Sequence, residues 1–126
     1  MRRLALLLTC AGLALLPVTQ IGAVSVKPKD GRYAGKTVQG YAVKFKVRKG
    51  IVTGQLFKIT GSGGCSFTVY ATSAGKVSAT GRFKLTQDVM TIKGRFVTPT
   101  KVKGTISDPE CTSAPAGVAF TAKRVG

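Results

Sequence analysis

The sequence predicts an all-β domain: an antiparallel meander of about eight strands that closes into a small up-and-down barrel or half-barrel, with a β-sandwich as the alternative. Three observations lead there. From about residue 31 onward apolar and polar residues alternate with period two, Gly-containing turns interrupt the alternation about every 10 to 13 residues, and no segment has a helical period. Gly-x-aromatic triplets also recur (Gly31-Arg32-Tyr33, Gly81-Arg82-Phe83, Gly94-Arg95-Phe96). Glycine inside a strand marks a bulge, a bend or a close backbone approach. Its repetition suits a strongly coiled sheet with a crowded inner face, which favours the barrel.

The elements follow in order. Arg2 and Arg3 precede an almost unbroken apolar run, Leu4 to Leu16, which Pro17 ends before small residues follow. This is the pattern of a signal peptide over residues 1–25, cleaved after Ala23 or after Ser25. The apolar run is shorter than the roughly 20 residues that span a bilayer, so removal is expected rather than anchoring. Cys10 leaves with it. Residues 26–30 read as an extended basic leader, and residues 31–126 as a single β-domain.

A short first strand is expected around Arg32 to Val38. In the next, Tyr41, Val43, Phe45 and Val47 share one face while Lys44, Lys46 and Arg48 share the other. Lys49-Gly50 turns the chain into Ile51 to Ile59, where Phe57 and Ile59 continue the apolar face. After the loop Gly61 to Gly64, a strand over Cys65 to Thr72 puts Cys65, Phe67, Val69 and Ala71 on one side, with Tyr70 out of phase. Residues Lys76 to Thr86 read as one strand with Val77, Ala79, Phe83 and Leu85 inward. Met90 to Phe96, Lys101 to Ile106 and Gly117 to Val125 complete the set, and Ser107 to Gly117 is the longest connecting loop.

With Cys10 discarded, Cys65 and Cys111 remain in a chain bound for an oxidising compartment, and a single disulfide is expected between them. The localisation that follows is secreted, periplasmic or at the cell envelope.

Charge and residue inventory decide which functions are open. The chain holds 20 Lys+Arg against 4 Asp+Glu, a formal charge of +16, with no His and no Trp. Without His there is no Ser-His-Asp or Cys-His nucleophile pair and no imidazole ligand for zinc. The only carboxylates are Asp30, Asp88, Asp108 and Glu110. Asp108 and Glu110, close together beside Cys111, offer too few oxygen ligands for a calcium loop or a hydrolytic site. No catalytic residue, metal site or cofactor is expected, and the reading is non-enzymatic.

The strongest signal is the outward phase of successive strands. Arg82, Lys84, Lys93, Arg95, Lys101 and Lys103 fall on it with no interleaved carboxylate, and form the candidate polyanion-binding residues. The expected partner is an anionic polymer or an anionic membrane surface. Sequence-specific nucleic-acid binding is not supported, because the phenylalanines fall on the apolar phase and leave no stacking platforms among the cations. The alternative function is a small-ligand carrier with a pocket inside the barrel. The inward set contains enough bulky residues to fill that space. The sequence leaves the oligomeric state open.

The Gly-x-aromatic strands, Cys65 after the glycine-rich loop, Cys111 near the end and the final strand Val118 to Arg124 together resemble a loose group of small secreted bacterial β-proteins of unknown function. The resemblance implies a secreted, disulfide-linked β-domain and transfers no catalytic or binding residue. Biotin-binding barrels share the Gly-x-Phe pattern, but the tryptophans that line their pocket are missing here.

Overall fold

The computed structural model describes residues 25–61, 64–111 and 117–126. Apart from Ser25, the expected signal segment lies outside the described residues. Nine strands are formed: β1 (Gly31–Thr37), β2 (Ala42–Arg48), β3 (Ile51–Thr60), β4 (Ser66–Val69), β5 (Gly75–Lys76), β6 (Arg82–Gln87), β7 (Met90–Thr98), β8 (Lys101–Ser107) and β9 (Val118–Arg124). All pairings are antiparallel and make one sheet in the order β4-β3-β2-β1-β9-β8-β7-β6, with β5 also on β3. The order around the barrel follows the order along the chain, as expected for a meander. Because β9 returns to β1, the seam falls in mid-chain, between β4 and β6. Residues 73–78 draw it partly shut: the Ser73 N–H and hydroxyl both donate to the Thr86 carbonyl, and the Arg82 N–H donates to the Ser78 hydroxyl. The fold is therefore a nearly closed barrel rather than a sandwich.

Alternation places the residues as the pattern requires. On β2, Val43, Phe45 and Val47 are buried while Lys44, Lys46 and Arg48 are exposed. The turn into β3 is the two-residue Lys49-Gly50, both at positive φ (51° and 75°), the combination that matches the twist of paired strands. Aromatic rings fill the interior. Tyr33 stacks on Phe45 (centroids 5.2 Å) and meets Phe96 edge-on (5.5 Å), and Phe45 contacts Phe57 and Phe83. Phe57 in turn reaches Phe120 (6.0 Å). Six rings thus form one connected core, with Leu85, Ile92 and Ile106 fully buried around them.

Inward glycines make room for the rings. Gly94 faces Phe83 across the β6–β7 pair, and Gly104 faces Phe120 across β8–β9. A Cβ at either position would enter the facing ring. The recurring triplets share the expected phase, glycine and aromatic both inward, but not one cause: Gly81, just before β6, and Gly31, the first residue of β1, adopt positive φ (82° and 143°), whereas Gly94 is required by the ring above it.

The leader is tied down across one end of the barrel. The Val26 N–H donates to the Ala79 carbonyl and the Lys29 N–H to the Pro99 carbonyl, while the Tyr33 hydroxyl lies 2.6 Å from the Lys29 carbonyl and 2.9 Å from that of Pro99. Burial pushes the Tyr33 phenol up from its ordinary pKa, against the opposing charge of Arg124. Near the other end, Cys65 and Cys111 form a disulfide (Cα–Cα 5.4 Å) that binds the start of β4 to the loop after β8. Its presence fits an oxidising, extracytoplasmic environment, and no helix among the described residues is long and apolar enough to cross a membrane.

Four expectations are corrected. Lys76 to Thr86 is not one strand: a turn closed by the Gly81 N–H on the Ser78 carbonyl divides β5 from β6, which leaves Ala79 exposed and raises the strand number to nine. The strand expected over Cys65 to Thr72 ends at Val69, and Ala71 is exposed. Phe67 is 37 % exposed rather than in the core, because β4 ends the sheet and has no neighbouring strand on its far side among the described residues. Tyr41 is only half-buried, its ring beneath the Lys58 ammonium at 4.5 Å. On β3 the buried set shifts from Val52 and Gly54 to Phe57 and Ile59, since a bulge pairs Lys44 with Leu56 but Phe45 with Gly54.

Candidate polyanion-binding face

Every Lys and Arg on a strand is exposed except the half-buried Lys58. The reason is local. Most sit one residue out of phase with a buried apolar side chain, so the packing that buries Phe83 and Leu85 aims Arg82 and Lys84 at solvent.

Strand pairing then assembles these cations into a grid. Arg82 on β6, Arg95 on β7 and Lys103 on β8 are successive register partners in one row across the sheet, and one step along Lys84 faces Lys93. Neighbours in a row are separated by roughly 5 Å and rows by roughly 7 Å, the strand spacing and the two-residue rise. Five of the six candidate residues therefore lie together. Lys101, the next outward residue before Lys103 on β8, extends the face toward β9, opposite Thr98 on one side and Lys123 on the other.

Two cations join that were not among the sequence candidates. Lys76 lines an open groove with Arg82, Lys84, Lys93 and Arg95, over Phe83 and Gly94. It arrives across the seam, which no local sequence signal marks. Lys123 was legible, since Phe120 and Ala122 are inward and the residue after Ala122 must point out. The cations are not confined to this face. Arg32 faces Lys46 across β1–β2, and a second groove gathers Arg32, Lys44 and Lys46. Positive charge encircles the barrel, and its like-charge pairs in register are most numerous on β6 to β8.

The carboxylates stand apart, at the barrel ends. Asp30 precedes β1, where its Oδ1 accepts the Lys49 N–H. Asp88 forms the β6–β7 turn at positive φ (53°). Asp108 is buried after β8, accepting the Glu110 N–H. None lies among the paired cations of the wall, so Arg82 opposite Arg95, Lys84 opposite Lys93, Arg95 opposite Lys103 and Lys101 opposite Lys123 are all like-charge cross-strand pairs. Such pairs destabilise a sheet. Chemically, the array offers guanidinium forks suited to paired contacts with oxyanions and ammonium groups that act as point charges. No protein-family model, curated protein or solved structure matches this chain, so the reading of this face rests on its own chemistry.

Proposed function

We propose that this protein is an exported, non-enzymatic module that binds anionic polymers or anionic membrane surfaces through the cationic wall centred on β6 to β8. One observation carries the reading: Arg82, Arg95 and Lys103 are stacked in register beside the Lys84–Lys93 pair, with no carboxylate among them. A sheet holding repeated like-charge pairs is relieved when an anion lies across them, and a repeating oxyanion matches a repeating grid better than a single small anion does. The disulfide between Cys65 and Cys111 supports a location outside the cytoplasm, secreted or at the cell envelope. The carrier alternative draws no support from an interior occupied by six interlocking rings.

Retention on heparin and on vesicles rich in anionic lipid tests the proposal. Binding is expected at about 0.1 M salt and should weaken steeply as salt rises. Weak retention that is insensitive to salt would refute it.

A further inference from the structure

Of the nine described strands, β4 alone carries neither Lys nor Arg. It is also the strand at the end of the sheet, paired with β3 on one side only. Sheets ordinarily guard such an edge with lysine, proline or a cover, because its outward N–H and C=O groups template pairing with another chain. Here cations cover the walls, and among the described residues nothing pairs with this edge. Beside it lie three exposed apolar side chains, Phe67 (37 %), Tyr70 (77 %) and Val89 (45 %). They line a shallow groove whose only charged lining residues, among those described, are the carboxylates Asp88 and Asp108.

We propose that this edge is a self-association surface, on which β4 of one copy pairs antiparallel with β4 of a second. Charge selects the occupant. Self-pairing through any other strand would bring Lys or Arg of both copies to the contact, whereas a β4–β4 contact aligns only Ser66, Phe67, Thr68 and Val69 with one another. The exposed carboxylate at the groove, Asp88, is opposite in sign to the walls of the arriving barrel. A two-fold contact of this kind closes on itself and gives a dimer. Four paired residues and three apolar side chains make a contact below standard interface size, so the dimer is a weak one.

The proposal is independent of polyanion binding and has the opposite dependence on salt. Arg2 and Arg3 account for two of the sixteen net charges, so the protein from residue 25 onward carries +14, and two such bodies repel. The Debye length falls from about 10 Å at 0.1 M salt to about 3 Å at 1 M. Association should therefore strengthen as salt rises.

Sedimentation velocity on the oxidised protein, at concentrations up to about 1 mM, tests this. The expected result is a monomer at about 0.1 M NaCl and a dimer at least tenfold tighter at about 1 M. Phe67→Lys and Tyr70→Lys should each return the 1 M sample to monomer while leaving the far-ultraviolet circular dichroism unchanged. Val125→Lys, the same change at an exposed position (54 %) bound to Arg32 at the other end of the barrel, should leave the dimer intact. A protein that stays monomeric throughout would overturn the proposal. So would folded Phe67→Lys and Tyr70→Lys proteins that dimerise as tightly as the parent, or a monomer that takes up a free uncharged peptide strand in place of its own copy.

Discussion

Replacing Arg82, Lys84, Lys93 and Arg95 by Gln should weaken polyanion binding and stabilise the fold at once, a combination that damage to the structure cannot produce. An anionic polymer lying on the groove meets Lys76, Arg82, Lys84, Lys93 and Arg95, with Lys103 next in the row. For about six oxyanion contacts on a flexible single-stranded polymer, the slope of log K against log salt is roughly −4. Between about 50 and 200 mM salt, affinity should then fall by about 300-fold. With four of the six contacts removed the slope should shrink to about −1.4, and binding at about 0.1 M salt should drop several hundred-fold. Titration of a long-chain inorganic polyphosphate at four salt concentrations, followed by fluorescence anisotropy of a labelled polymer, measures both quantities. A second variant, Arg32, Lys44, Lys46 and Arg48→Gln, removes the same charge from the β1–β2 wall and should lose about tenfold or less. Equal losses in the two variants would refute the grid and leave only net charge. On the stability side, the Arg82–Arg95, Lys84–Lys93 and Arg95–Lys103 oppositions vanish together. At about 0.5 kcal/mol each this is worth about 1.5 kcal/mol, or about 8 °C in the unfolding midpoint. A lower midpoint would contradict the account of the wall as internally repulsive.

Three further outcomes follow from the packing. Gly94→Ala replaces glycine within a strand, a change that by propensity alone stabilises, yet its Cβ meets the Phe83 ring; urea unfolding should show a loss of about 1–3 kcal/mol, and a gain would disprove the contact. Reduction of Cys65–Cys111 reopens a loop of 46-residue separation and should lower stability by about 4 kcal/mol, read as the shift in urea midpoint with and without reductant. Tyr33 supplies an alkaline limit. Its folded pKa is raised by burial, so its contribution is complete below about pH 10 and is lost as pH rises through the folded value, because the unfolded chain ionises first. Tyr33→Phe should cost about 1 kcal/mol at neutral pH through the lost bond to the Lys29 or Pro99 carbonyl, yet decline less above about pH 10. Parallel pH–stability curves for the two proteins would be inconsistent with this.

The sequence alone determined which face of each regular strand is dry. Period two follows from the pleat, so Lys44, Lys46 and Arg48 had to point away from Val43, Phe45 and Val47 whatever the rest of the chain did. The same reasoning holds for Arg82 and Lys84, for Lys93 and Arg95, and for Lys123. The cysteine count named the disulfide, and Lys49-Gly50 named its turn. Tertiary structure decided what alternation cannot report: which strands are neighbours, where the register slips, and what covers a face once it is dry. Pairing of β8 with β9 set Lys123 opposite Lys101, and the seam carried Lys76 into the groove of β6 and β7. The end of the sheet left Phe67 half uncovered although its phase is that of the core. In each case the deciding contact lies across strands, and period two along a single strand carries no information about it.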